Sequence, residues 1–202
     1  MSTLPAQAPA LARADTGTMN NRPRPRYDRV AIALHWLIGV ALLGQIAFGF
    51  LLDEIAPRGT PGRSGTINLH KSIGLVLLAL IVVRLLWRLR HRPPGWPASM
   101  SAWQQHAAVL GHRAMYACML AMPLAGYMAS NFSKHGVRFF GVRLAPWGPD
   151  LPAVYGFFNT VHVVGAFVFT ALIVGHVAIA LKHALVDRDG VFARMWPGGA
   201  RS

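Results

Sequence analysis

The sequence predicts an all-α protein, a four-helix transmembrane bundle with both termini on the cytoplasmic side. Three observations support this prediction: the composition, four apolar stretches of membrane-spanning length, and an uneven distribution of cations. Of the 202 residues, 53% are hydrophobic and only 13% are charged, and the mean hydropathy is +0.37. Because soluble domains carry about 25% charged residues, this composition argues against an ordinary water-soluble globule.

The four apolar stretches are each long enough to form a spanning helix, which needs roughly 20 predominantly apolar residues. They cover residues 30–52, 69–87, 107–129 and 154–181. The segments between them, 56–65, 91–99 and 145–152, are rich in Gly and Pro, as loops are. No β-alternation and no internal repeat is evident. Helices are the expected structure because they satisfy their own backbone polar groups in lipid.

The cations predict the orientation. If the four spans alternate in direction, fourteen Lys and Arg residues lie on the side of the termini and six on the other side. The six are Arg58, Arg63, Lys71, Lys134, Arg138 and Arg143. An excess of Lys and Arg marks the cytoplasmic side. A net charge of +13 can also indicate nucleic-acid binding. Here the cations flank apolar runs, so we expect membrane lipid rather than nucleic acid as the partner.

The two ends of the chain are predicted to lie outside the membrane domain. Residues 1–26 lack the apolar core of a secretory signal, and we expect a disordered cytoplasmic tail in which Met19 is a second candidate start. The membrane domain is predicted to cover 27–197, with a C-terminal tail at 198–202. Cys118 is the single cysteine, so neither an intrachain disulfide nor a covalently attached c-type haem is expected.

Four of the nine histidines fall within or at the edge of the predicted spans, where ionisable groups are costly and usually functional. His35 lies near the termini side of the first span, and His70 opens the second span from the opposite side. In the fourth span, His162 and His176 are 14 residues apart, which corresponds to ~21 Å along the helix on nearly the same face. The depths therefore pair His35 with His176, and His70 with His162.

Two histidines at each of two depths suit two haems, each held by two axial imidazoles from facing helices. Gly39, Gly74 and Gly165 follow three of these histidines by three or four residues, on the same helix face, where a missing side chain would admit a flat macrocycle. The same small residues also suit ordinary helix packing in lipid. A proton relay or a divalent-metal transporter remains an alternative, although the predicted spans contain no Asp or Glu.

Several motifs resemble the bacterial cytochrome b561 family of di-haem, quinone-linked membrane cytochromes. They are RYDRVAIALHWLIG (26–39), NLHKSIGLVLLALIVVRLLWRL (68–89), LGHRAMYACMLAMPLAGYM (110–128) and HVVGAFVFTALIVGHVAIALKHALVDRDGVFARMWP (162–197). The motifs occur in the family's order, and the resemblance covers about residues 27–197.

The resemblance implies a multi-pass protein of the bacterial inner membrane with two non-covalent haem b groups. His35 and His176 would be the iron ligands on the cytoplasmic side, and His70 and His162 those on the outer side. His112 would be a neighbour of the haem, and His183 is the alternative ligand to consider because it follows His176 by seven residues.

The function implied by the resemblance is electron transfer across the membrane to or from quinone. Superoxide is one candidate donor, oxidised on the outer side while ubiquinone is reduced, and Lys71 is then the first candidate among the outer cations for attracting it. The alternative is a membrane-anchor subunit that relays electrons between a hydrogenase or dehydrogenase and quinone. The sequence leaves the oligomeric state, the direction of electron flow and the quinone site open.

Overall fold

Four long helices dominate the computed structural model, which describes residues 26–97 and 99–198. They are α1 (Arg29–Phe50), α3 (Arg63–Arg90), α4 (Ala102–Asn131) and α5 (Pro152–Lys182), and a short helix α2 (Leu52–Ile55) follows α1. Each long helix is long and apolar enough to cross a membrane, which confirms the predicted four-helix architecture. Of the predicted tails at 1–26 and 198–202, residues 1–25 and 199–202 lie outside the described residues.

The helices extend beyond the apolar stretches that predicted them. Helix α3 begins at Arg63 rather than at residue 69, and α4 begins at Ala102 rather than at residue 107. A capping box fixes the start of α4, in which Gln104 Oε1 accepts from the backbone N–H of Ser101 at 2.8 Å. The hydropathy pattern detects only the part of a helix that is apolar enough for hydrocarbon. It therefore does not detect a polar first turn.

The helices pack in the order α1 on α3, α3 on α4, and α4 on α5. A small apolar core joins α1 to α3, formed by Ile38, Leu77 and Ile81, each at most 3% exposed. Many other large apolar side chains point outward, for example Phe157 and Phe167, which are 63% and 62% exposed. An outward apolar surface on spanning helices is the surface that lipid covers.

A β-hairpin, which the sequence did not predict, connects α4 to α5. Strands β1 (Val137–Phe139) and β2 (Val142–Leu144) pair antiparallel. Strands of three residues are too short for period-two alternation to stand out. The hairpin rests on the start of α3, where Asn68 Oδ1 accepts from the N–H of Arg138 at 2.8 Å. We call this end of the bundle the hairpin end, and the opposite end the termini end.

At the termini end, the last described segment folds back over α1. The indole Nε1 of Trp36 donates to the carbonyl of Met195 at 2.7 Å, and the rings of Trp36 and Trp196 meet edge to face. The N–H of Tyr27 donates to the carbonyl of Arg194 at 3.3 Å. Both ends of the described chain are therefore fastened to each other beside His35.

Asp28 joins two helices at the same end. Its Oδ1 caps α1 by accepting from the N–H of Ala31 at 2.8 Å and also accepts from the indole of Trp87, at the end of α3, at 3.0 Å. Burial by itself would raise the pKa of the Asp28 carboxyl, but these hydrogen bonds outweigh it and hold the pKa below its ordinary value of 3.8.

We expect Asp28→Ala to lower the stability of the folded protein by about 1 kcal/mol at neutral pH, since it removes a helix cap and leaves the Trp87 indole without its acceptor. A lowered carboxyl pKa stabilises the fold above pH 3.8, and this contribution is lost as the pH falls through the folded-state pKa. The difference in folding stability between wild type and Asp28→Ala should therefore become smaller below pH 3.8. Thermal loss of helical circular dichroism in detergent measures it, and Asp28→Asn, which retains an acceptor, should keep most of the stability at neutral pH. A gap that widens on acidification would contradict this account.

Candidate functional site

Two pairs of histidine rings lie between the helices, one toward each end of the bundle. At the termini end, His35 of α1 faces His176 of α5, with ring centres 6.1 Å apart and planes at 73°. At the hairpin end, His70 of α3 faces His162 of α5, with ring centres 6.2 Å apart and planes at 86°. The structure thus brings together the same two pairs that the depths along the sequence predicted.

The spacing of both pairs suits two ligands on opposite sides of one metal ion. With metal–nitrogen bonds of about 2 Å and about 1.1 Å from the nitrogen to the ring centre, the two ring centres would lie roughly 6.2 Å apart. Within residues 26–97 and 99–198, no hydrogen bond joins the two rings of either pair. The helices that carry the rings hold them at this spacing, with their planes steeply inclined to each other.

The two rings of the hairpin-end pair differ in their hydrogen bonding. Nδ1 of His162 lies 2.8 Å from the carbonyl of Met122, so this nitrogen carries the proton and donates, which leaves Nε2 free as the ligand atom. Nδ1 of His70 is buried with no hydrogen-bond partner among the described residues. Buried polar atoms are normally satisfied, so an orphaned one in a pair of this spacing fits a site that takes a further group.

Glycines make room for both rings of the hairpin-end pair. A Cβ at Gly126 of α4 would lie 3.0 Å from Nδ1 of His162, and a Cβ at Gly49 of α1 would lie 3.1 Å from Cε1 of His70. Neither position was predicted from the sequence, because both glycines lie on helices other than those of the histidines they contact. No periodicity within a single helix signals such a contact.

The three glycines singled out from the sequence have different surroundings. Gly39 is half-buried, yet a Cβ there would meet nothing within 4 Å. A Cβ at Gly74 would lie 3.5 Å from Nε2 of Gln45, and one at Gly165 would lie 2.5 Å from Sδ of Met122. Gly165 therefore permits the close approach of α4 and α5, whereas no side chain packs closely against Gly39.

The termini-end pair has two polar neighbours, one from each remaining helix. The ring of His112 in α4 lies 5.5 Å from that of His176, and its Nδ1 donates to the carbonyl of Ala108 at 2.6 Å. From α3, Arg84 places Nη2 at 3.3 Å from Nδ1 of His35. A guanidinium only donates, so Nδ1 of His35 accepts here and the ring proton lies on Nε2.

His183, the alternative ligand suggested by its spacing from His176, lies beside two aspartates that follow α5. Its Nδ1 lies 2.7 Å from Oδ2 of Asp189 and 3.4 Å from Oδ2 of Asp187. Burial alone would raise the pKa of the Asp189 carboxyl, but hydrogen bonds from the N–H of Val191 and from His183 lower it below its ordinary value. His183 therefore stabilises the turn that follows α5.

Lys71, the candidate for attracting an anionic substrate, forms a hydrogen bond to the loop that leads into the hairpin. Its Nζ donates to the carbonyl of Gly136 at 2.9 Å. Two other cations at the hairpin end form ion pairs. Arg58 and Arg63 lie 3.8 Å and 2.6 Å from the carboxylate of Asp53. Arg138 and Arg143 stand exposed on the hairpin strands.

The match to known proteins covers the described chain from end to end. The family model for prokaryotic cytochrome b561 matches residues 26–198. The chain belongs to the prokaryotic cytochrome b561 family. It is similar to "Cytochrome b561 homolog 2" of Escherichia coli (strain K12), with 32% identity over 88% of this chain and 94% of that protein. It is also similar to "Cytochrome b561 homolog 1" of the same strain, with 26% identity over 85% and 97%.

A third relative bears an activity in its name. "Probable superoxide oxidase CybB" of Yersinia pestis is 28% identical over 85% of this chain and 96% of that protein. Membership of the cytochrome b561 family makes the chain a multi-pass membrane electron-transfer protein and implies a b-type haem as its cofactor.

We expect Gly126→Val to lower the haem content of the purified protein, because the new side chain would displace the His162 ring from its position beside Met122. The haem-to-protein ratio and the reduced α band measure this loss. Gly44→Val is the matched control, since a Cβ at Gly44 of α1 would meet nothing within 4 Å. Equal haem content in the two variants would count against the packing of α4 on the His162 ring.

Proposed function

We propose that the protein is a di-haem b-type cytochrome that transfers electrons across the bacterial inner membrane to or from quinone. The observation that supports this most strongly is the presence of two histidine pairs, one toward each end of the bundle. Their ring centres lie 6.1 Å and 6.2 Å apart, a spacing that would allow both rings of a pair to hold one haem iron. Family membership supports the b-type haem. When bound, a haem at each pair would supply a one-electron carrier held in an apolar medium.

The ligands in this proposal are His35 and His176 at the termini end, and His70 and His162 at the hairpin end. Helix α5 contributes one ligand to each pair, while α1 and α3 each contribute one. A ligand pair shared between two helices depends on how those helices pack, so the bundle fixes both the spacing and the ring planes. The carbonyl of Met122 fixes the proton of His162 on Nδ1.

In this proposal, the contacts of Arg84 depend on which ring nitrogen of His35 binds the haem iron. Ligation through Nε2 of His35 places the ring proton on Nδ1, the atom that Arg84 now approaches. The guanidinium must then leave Nδ1, and a haem propionate is a suitable new partner for it. Arg84 also donates to the carbonyl of Ala31 at 3.1 Å, so it stays close to α1 in either arrangement.

The proposed partners are quinone and a second redox molecule. The name of the Yersinia pestis relative favours superoxide as the donor. Two superoxide anions would each lose one electron and leave as dioxygen, and one quinone would take both electrons and two protons to become quinol. Lys71, at the hairpin end beside His70, remains the candidate for drawing the anion toward that haem.

The proposed orientation places both termini in the cytoplasm, which follows from the excess of Lys and Arg at the termini end. The His70 and His162 pair then lies toward the outer side, where a donor such as superoxide would arrive. Co-purification of a large soluble redox subunit would instead favour the membrane-anchor alternative.

We expect two haems per chain in the purified protein, falling to one in either His35→Ala or His70→Ala, since each substitution removes one axial ligand. Pyridine haemochrome absorbance against protein concentration gives the stoichiometry. His106→Ala and His135→Ala are matched controls, because both side chains are exposed and stand at opposite ends of the bundle. Unchanged haem content in the ligand variants, or loss in the control variants, would refute the assignment.

We expect Arg84→Gln to lower the midpoint potential of one haem by roughly 50–100 mV, because a nearby positive charge favours the reduced, more electron-rich state. A redox titration followed at the α band resolves the two potentials. Arg90→Gln removes an exposed cation of the same helix and should leave both potentials in place. A shift of equal size in the two variants would show that only overall charge matters.

A further inference from the structure

Gln45 places an amide side chain in the apolar part of α1, beside the haem ligand proposed at the hairpin end. Helix α1 contains no other amide side chain. Nε2 of Gln45 donates to the backbone carbonyl of His70 in α3 at 2.7 Å. Oε1 of the same amide is buried and has no hydrogen-bond partner within the described part of the chain. An acceptor buried in an apolar medium normally has a donor, because leaving it unpartnered is costly.

The contact with His70 decides which atom of the amide is free. A backbone carbonyl can only accept, so the amide must turn its nitrogen toward it, and its oxygen remains available. The backbone of α3 also comes close at Gly74, where an added Cβ would lie 3.5 Å from Nε2 of Gln45. The amide is therefore held against α3 with its acceptor unused.

The ring of His70 carries the complementary unused atom. Its Nδ1 is buried and has no hydrogen-bond partner in residues 26–97 and 99–198. Gly49 follows Gln45 by four residues, on the same face of α1. An added Cβ at Gly49 would lie 3.1 Å from Cε1 and 3.8 Å from Nδ1 of His70. One face of α1 thus meets both the backbone carbonyl and the ring of this histidine.

Haem ligation would make these two atoms a donor and an acceptor. Ligation through Nε2 of His70 places the ring proton on Nδ1, and a ligating histidine normally donates this proton to an acceptor. The other ring of the pair already has such an acceptor, since Nδ1 of His162 donates to the carbonyl of Met122 at 2.8 Å. For His70, the unused acceptor lies on Gln45, a side chain that already contacts the residue.

We propose that Gln45 is a positioning residue for the haem ligand His70, and that its Oε1 accepts the Nδ1–H of His70, directly or across one water, when haem binds. This inference rests on the proposed function, because it concerns the ligand of the hairpin-end haem. The acceptor fixes the tautomer of the ring and makes the ring a stronger electron donor. A stronger donor favours ferric iron, so Gln45 lowers the midpoint potential of this haem.

The test compares two substitutions of Gln45 in the purified full-length protein. Gln45→Met keeps the length of the side chain and removes the strong acceptor, whereas Gln45→Glu keeps an acceptor oxygen. A redox titration followed at the α band resolves the potentials of the two haems. We expect Gln45→Met to favour reduction of one haem roughly tenfold, a rise of about 59 mV for a one-electron couple. Gln45→Glu should raise neither potential.

Two further variants identify the haem and control for polarity. Arg84 contacts His35 of the other pair, so Arg84→Gln should act on the other haem. In the double variant Gln45→Met/Arg84→Gln, one potential should rise and the other should fall. Thr170→Val also removes a polar group from a spanning helix, but the Thr170 hydroxyl donates to the carbonyl of Ala166 in its own helix. Both potentials should stay in place in Thr170→Val.

Three outcomes would overturn the inference and leave the ligand assignment intact: unchanged potentials in Gln45→Met, an equal rise in Gln45→Glu, or shifts that cancel on one haem in the double variant. Loss of one haem from Gln45→Met but not from Gln45→Glu would support the inference, since it would show that the ligand needs the acceptor. Unchanged haem content in His70→Ala would refute the ligand assignment, and this inference would fall with it.

Discussion

The structure depends on one constraint, which is that two imidazole pairs must be held at a fixed spacing in an apolar medium. Each pair has its rings about 6 Å apart with no hydrogen bond between them. Polar rings buried in a membrane are costly unless something binds them. The helices supply this geometry, because the two rings of each pair lie on different helices. Helix α5 serves both pairs, so its position relative to α1 and α3 fixes both sites.

The packing around the rings shows how the bundle meets this requirement. Gly126 and Gly49 bring the backbones of α4 and α1 close to the hairpin-end rings, and the carbonyl of Met122 orients one of them. At the termini end, polar side chains surround the pair instead, with Arg84 from α3 and His112 from α4. The two pairs therefore have different polar neighbours, and under the proposed di-haem assignment such differences would influence the potential of each haem.

The ends of the bundle are closed by different means. At the termini end, Trp36 and Asp28 fasten the first and last described segments to the helices. At the opposite end, the hairpin rests on α3 through Asn68 and Lys71. Lys71 thus has a structural contact in addition to its proposed role in attracting an anion. The same hairpin exposes Arg138 and Arg143.

The sequence by itself determined the four spans, the four histidines and their sorting by depth, because hydropathy and helical rise act within one helix at a time. The structure confirmed the spans and placed His35 opposite His176, and His70 opposite His162. Only the tertiary structure decided which neighbours touch the rings, since Gly49, Gly126 and Arg84 reach them from other helices. It also decided that His183 turns to Asp189, and that residues 137–144 form a hairpin. Contacts between helices depend on their relative rotation and approach, which no pattern along one helix contains.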